Sequence, residues 1–199
     1  MSFYLKIKAW KLFLLFFGVE FISLFLIGIF NNYPWFRLIL SPLKMCYYIT
    51  LFFGWMYSLG VNLHKKLPPG EEMNVRLFKI LLIGPIISTA FVAGTVYYLY
   101  FYLQGKEKHT ELIIAAVFIN FIAFFCYAYC AYFIAKALKI VELQRMVWFA
   151  DYSGEVLFML NPVYGVWSIQ PRINRIFSDS DKDFSGFGED NNFSLLTMW

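Results

Sequence analysis

The chain has 199 residues, of which 60% are apolar, 22% aromatic and only 15% charged, with a net charge of +4. Soluble domains carry about 45–50% apolar and about 25% charged residues, and a soluble chain of this size has too much surface for its volume to hide such an excess. The aromatic residues lie inside apolar runs rather than among Lys and Arg, which excludes a nucleic-acid surface, so the composition points to a chain solvated by lipid.

Lys6, Lys8 and Lys11 precede an apolar run from Leu12 to Phe30, and Trp10 to Phe30 supplies the first span, interrupted by Glu20. A bilayer core needs about 20 apolar residues of helix. This run is longer than the apolar region of a signal peptide, and no small-x-small cleavage site follows it, so it reads as a retained first span. The next run carries Pro42 near its start, and the expected second span covers Leu43 to Gly60, with 34–42 as an interfacial lead-in. A polar loop with Pro68-Pro69-Gly70 follows, and these residues are strong turn punctuation. Ile80 to Leu103 is the third expected span, with Pro85 as a kink, and Leu112 to Ile134 is the fourth.

Cytoplasmic segments of membrane proteins are enriched in Lys and Arg. Lys6, Lys8, Lys11, Lys65, Lys66, Arg76, Lys79, Lys136, Lys139, Arg145, Arg172, Arg175 and Lys182 fall on one side of a four-span arrangement. Only Arg37, Lys44, Lys106 and Lys108 fall on the other. Both chain ends are therefore expected in the cytoplasm. Tyr97, Tyr98, Tyr100, Phe101 and Tyr102, with Tyr33, Trp35 and Phe36, suit the outer interface, and Trp10 the inner one. Ala90-x-x-x-Gly94 faces Ala128, Ala131 and Ala135 as a small-residue contact between spans three and four, or as a homodimer face.

After span four, Lys136 to Phe149 keeps helical spacing, with Leu138, Val141 and Leu143 apolar and Lys139, Glu142 and Arg145 polar. It reads as an amphipathic extension ending at Asp151–Gly154. Residues 155–169 are apolar but broken by Asn161-Pro162 and Gly165, too short for a confident fifth span, and an interfacial or re-entrant segment fits better. From Ser178 the sequence is polar and acidic, of the kind that stays disordered. The expected organisation is a four-helix transmembrane domain with its extension over 1–149, an interfacial or re-entrant segment over 150–177 and a disordered tail over 178–199. The fold class is all-α.

Three stretches resemble a family of small membrane proteins of Bacteroidetes bacteria. They are Lys65-Lys66-Leu67-Pro68 with Met73 to Lys79, Val141-Glu142-Leu143-Gln144-Arg145, and Gly154-Glu155 through Gly165-Val166-Trp167-Ser168-Ile169-Gln170-Pro171-Arg172-Ile173-Asn174. The resemblance covers most of residues 1–177. It implies a polytopic protein of a bacterial inner membrane and no particular activity.

Candidate chemistry is sparse. Glu20 lies near mid-depth of the first span, where an ionisable group marks either interhelical glue or an ion path. Asn120, Ser88 and Thr89 fall at comparable depth, so a polar cluster with Glu20 is expected. Lys44 is expected to extend its ammonium toward the outer surface. His64 and His109 fall on opposite sides of the membrane, and Cys46, Cys126 and Cys130 lack companion ligands, so neither a metal nor a cofactor is expected. No catalytic motif is evident, and an enzyme is not expected. Glu142, Arg145, Asp151, Glu155, Arg172 and Arg175, with Trp167, Gln170 and Asn174, form a candidate cytoplasmic surface for a partner or anionic head groups. The expected function is an accessory component that binds another membrane protein or a second copy of itself. The alternative is a small transporter or channel subunit using Glu20.

Overall fold

The computed structural model describes residues 3–30, 33–101 and 110–189. Tyr102, Lys106, Lys108 and His109 lie outside the described residues, as do 190–199 and the side chains at 35, 37, 97, 100, 101 and 179–189. Every regular element among the described residues is helical: α1 (Phe3–Lys6), α2 (Ala9–Ile29), α3 (Pro34–Lys65), α4 (Val75–Phe101), α5 (Thr110–Leu143), α6 (Phe149–Leu160) and α7 (Pro162–Glu189).

Among the described residues three helices are long and apolar enough to cross a membrane: α2, α4 over Val75–Thr95, and α5. The fourth long helix, α3, has 32 residues but is less apolar, because it runs through the middle of the assembly. It packs against α1, α2, α4 and α5, and Trp55, Met56, Leu59 and Leu63 on it are fully buried. Its start differs from expectation. Pro34 stands at the first helical position, where the missing N–H is an orphan anyway and the fixed φ suits the helix. The helix then passes through Pro42 without ending, so the expected lead-in over 34–42 is already helical.

The long helices form two antiparallel pairs. In the first, Phe16 of α2 meets Phe52 and Trp55 of α3, each at 5.9 Å between ring centroids, and the Tyr47 hydroxyl donates to the Leu15 carbonyl at 2.8 Å. In the second, Phe78 of α4 stacks on Phe133 of α5 at 4.6 Å. Most of the core sits toward one end of the bundle, the base, which holds the 66–74 loop and the turn from α5 to α6. Gly70 in that loop has φ +101°, a conformation glycine adopts without Cβ strain. At the α3–α4 contact a Cβ on Gly60 would stand 2.4 Å from the Phe78 ring, so only glycine lets the two helices approach this closely.

Helices α4 and α5 do pack together, but not through the expected residues. Their close contact runs through Gly84 against Cys126, and Phe78 against Phe133 and Cys130. Ala131 and Ala135 are buried, whereas Ala90 and Gly94 are exposed and a Cβ on Gly94 would meet nothing within 4 Å. Spacing alone does not say which face of a helix is turned inward.

The C-terminal third is also rearranged. Helix α5 stops at Leu143, not in the 151–154 region, because Gln144 takes φ 51° while its N–H reaches the Ile140 carbonyl at 2.8 Å. Its side chain donates to the Val141 carbonyl at 2.7 Å, so two of the orphan carbonyls of the last turn are satisfied. A new helix begins at Phe149, where the Asp151 carboxylate accepts the Trp148 N–H at 3.0 Å. Asn161 and Pro162 then start α7. The Asn161 side chain accepts the Val163 N–H at 3.2 Å, and proline takes the first helical position, a regular helix start.

α6 and α7 therefore form a helical hairpin. Tyr152 meets Tyr132 at 5.6 Å, and the Tyr127 hydroxyl donates to the Met159 carbonyl at 2.6 Å, so α6 climbs back along α5. α7 descends to the base, where Lys66 donates to the Ile176 carbonyl at 2.9 Å. The turn is tight: a Cβ on Gly165 would lie 2.9 Å from the Phe158 carbonyl oxygen. α7 continues to Glu189, into the stretch that composition marks as disordered.

Candidate functional site

The candidate residues separate into three places. The first is Glu20. Its carboxylate lies 2.8 Å from the Lys44 ammonium, across the α2–α3 pair, with both side chains partly exposed. The lysine thus pairs within the bundle instead of extending outward, because a carboxylate one helix away neutralises it at less cost than either charge alone in an apolar setting. Glu20 does not join the other three polar residues.

Those three form the second place. The Ser88 hydroxyl, fully buried on α4, donates to the Asn120 carbonyl oxygen on α5 at 3.1 Å. The Asn120 amide donates to the Ala116 carbonyl at 3.0 Å, and the Thr89 hydroxyl donates to the Pro85 carbonyl at 2.6 Å. All three line a cavity of about 470 Å³, together with Tyr48, Phe52 and Phe53 of α3, Ala123, Phe124 and Tyr127 of α5, and the hairpin-turn residues Leu160 and Pro162.

The third place is the base, where the candidate surface is turned inward. Gln170 is fully buried. Its carbonyl oxygen accepts the Trp55 indole N–H at 2.9 Å, and its amide donates to the Tyr4 carbonyl at 2.6 Å, the Ile7 carbonyl at 3.1 Å and Asn174 at 3.0 Å. Asn174, one turn on, donates to the Ile7 carbonyl at 3.0 Å. Gln170 and Asn174 together clamp α1 and the turn after it, satisfying carbonyls that a short helix leaves open.

Beside this clamp, Arg172 grips Glu142 through two nitrogens, one at 2.6 Å, and reaches Glu155 at 2.9 Å. Lys139 meets the same Glu155 oxygen at 2.9 Å. Two cations and two carboxylates thus cancel and tie α5, α6 and α7 together. Burial pushes the Glu155 carboxyl up, but hydrogen bonds from Lys139 and Arg172 outweigh it and hold it below its ordinary value.

Arg145 stays outside this network: it donates to the Met146 carbonyl at 3.2 Å and lies 3.8 Å from Asp151. Arg175 is exposed. Trp167 is half exposed and packs beside Phe13 at 5.5 Å, whereas Gln170 is fully buried and spends its side chain on Trp55 and α1. Tryptophan and glutamine therefore do not make one head-group site.

Several partners had no sequence signal. Lys139 reads as a solvated charge, and the Tyr4, Ile7 and Met159 carbonyls that accept side-chain donors belong to backbone. The one available hint was Gln170 and Asn174, a single turn apart beside the buried Val166, Ile169 and Ile173. Among the described residues no three His, Cys, Asp or Glu side chains converge to hold a metal ion.

The long apolar helices define the class, an integral membrane helical protein. Beyond that class, no protein-family model, curated protein or solved structure matches the chain.

Proposed function

We propose that the chain is a four-span protein of a bacterial inner membrane that works by binding another membrane protein. In this reading α2, α3, α4 and α5 cross the bilayer, the base faces the cytoplasm, and the α6–α7 hairpin re-enters the adjoining leaflet. Kinship with the small Bacteroidetes membrane proteins belongs to the same reading.

One observation carries it: the hairpin is polar inside and apolar outside. Glu155, Gln170 and Arg172 turn inward, while Phe149, Leu157, Tyr164 and Trp167 are exposed. Lipid selects that arrangement, because polar groups in hydrocarbon must find partners within the protein. With Glu142, Glu155, Arg172 and Lys139 spent on one another, the broadest faces left for a membrane-protein partner are apolar ones, such as Val117, Phe118, Phe121 and Phe125 on α5. Arg145 and Arg175 remain at the base for anionic head groups. The Glu20–Lys44 pair weighs against a proton path, since the carboxylate is already compensated.

A photoreactive phenylalanine analogue at Phe121, activated in native membranes, tests the proposal. A discrete protein adduct, either a second copy or another membrane protein, supports it. Adducts with lipid alone, there and at Phe118 and Phe125, refute the partner reading.

A further inference from the structure

We propose that the cavity between α3, α4, α5 and the α6–α7 turn binds a neutral, lipid-soluble carbonyl compound that enters sideways from the bilayer; this rests on the membrane placement proposed above, but not on a protein partner. Its volume of about 470 Å³ falls in the range of small-molecule sites, roughly 300–1,000 Å³. A spanning helix about 10 Å wide and 30 Å long occupies on the order of 2,400 Å³, so the space suits a small ligand and not a partner helix.

The lining specifies the ligand further. Phe52, Phe53 and Phe124 provide apolar ring surface for a flat or chain-like body. The Ser88 and Thr89 hydroxyl protons are already used, on Asn120 and on the Pro85 carbonyl. Asn120 has two amide N–H groups and gives one to Ala116, so one remains. The Tyr48 hydroxyl, on the α3 wall of the same cavity, has no hydrogen bond among the described residues. Two donors from α3 and α5 thus line the same opening, Asn120 exposed and Tyr48 half-buried, and in lipid a polar group without a partner is costly. A hydrocarbon tail does nothing for them, whereas a carbonyl oxygen is an acceptor for such donors. That oxygen has two possible sources in a bilayer, the head group of an isoprenoid quinone or the carbonyl of an acyl ester.

The test uses the full chain in nanodiscs and equilibrium binding of radiolabelled decyl-benzoquinone. Saturable binding near one per chain is expected, weakened about tenfold by Asn120→Leu, which removes one hydrogen bond to the ligand. Gly94→Ala, which lies outside the lining and faces open space, should bind as wild type does. Ala123→Phe fills the space from α5 and should abolish binding; Thr89→Leu narrows it from α4 and serves if Ala123→Phe does not fold. Competition by methyl oleate assigns the site to acyl carbonyls, and its absence assigns it to quinones. Uptake that rises linearly and equally in every variant overturns the proposal. So does competition by decylbenzene, which has no carbonyl, as strong as that by unlabelled quinone. A missing protein adduct at Phe121 leaves this result untouched, so the two readings fail separately.

Discussion

Replacing Gln170 with leucine keeps the side chain's bulk and removes all of its hydrogen bonds. The Trp55 indole N–H is then left buried without an acceptor, and the Tyr4 carbonyl loses its donor. The Ile7 carbonyl keeps the bond from Asn174. Each buried group left unpaired costs about 1–3 kcal/mol, and the added apolar burial of leucine offsets part of that, so a net loss of about 2–4 kcal/mol is expected. For a chain of this length that lowers the thermal midpoint by about 5–15 °C. The clamp also makes a second, local demand. In a chain whose native cysteines are replaced by alanine, a cysteine at the buried Leu5 should react with an aqueous maleimide several-fold faster once Gln170 is leucine. Asn174→Leu should cost less, and the double variant less than the sum, because the two amides bond each other and share the Ile7 carbonyl. A midpoint within about 2 °C of wild type, with Leu5→Cys still protected, would refute the reasoning.

Other outcomes follow from the same geometry. Gly60→Ala should destabilise by about 1–3 kcal/mol through the clash with Phe78, whereas Gly94→Ala, facing open space, should be neutral or slightly stabilising; denaturation midpoints in one detergent separate them. Arg172→Met should cost about 2–4 kcal/mol, somewhat under the figure for a fully buried pair because the guanidinium is 27% exposed, and Arg172→Met/Glu142→Met should recover part of it. The folded-state pKa of Glu155 lies below its ordinary 4.5, so its contribution is complete above that pH and fades as the pH falls through the folded value; wild type should lose more thermal stability than Glu155→Gln as the pH is taken from neutral to below 4.5. Glu20→Gln alone should lower the yield of folded protein, and Glu20→Gln/Lys44→Met should restore it; a single variant indistinguishable from wild type sinks the pairing.

Span existence was legible in the sequence because runs of apolar residues as long as Ala9–Ile29 have few other uses, and the Ser88–Asn120 contact because both residues stand near the middle of their spans. Partner choice was not. Lys44 lies a helix away from Glu20 and could equally have reached for the surface; only the register of α2 on α3 decides. The end of α5 escaped because Gln144, neither glycine nor proline, takes the left-handed turn. Asn161-Pro162 was visible as a break but is the start of α7, and the direction in which α6 travels depends on Tyr127 and Tyr132, more than twenty residues back in the chain. Gln170 and Arg172 were not legible as inward-facing because they acquire that orientation only when α7 folds against α1 and α5.

The clamp joins Gln170 to a carbonyl 163 residues earlier, which imposes an order on biosynthesis. The segment around Tyr4 and Ile7 leaves the ribosome long before its docking partner on α7 has been made. Until α7 has been made and has settled, the Tyr4 and Ile7 carbonyls and the Trp55 indole must be held by water, lipid head groups or an insertion factor. A polypeptide released before residue 170 has every candidate span and no latch, so cellular quality control could distinguish a finished molecule from an aborted one by whether α1 is still loose.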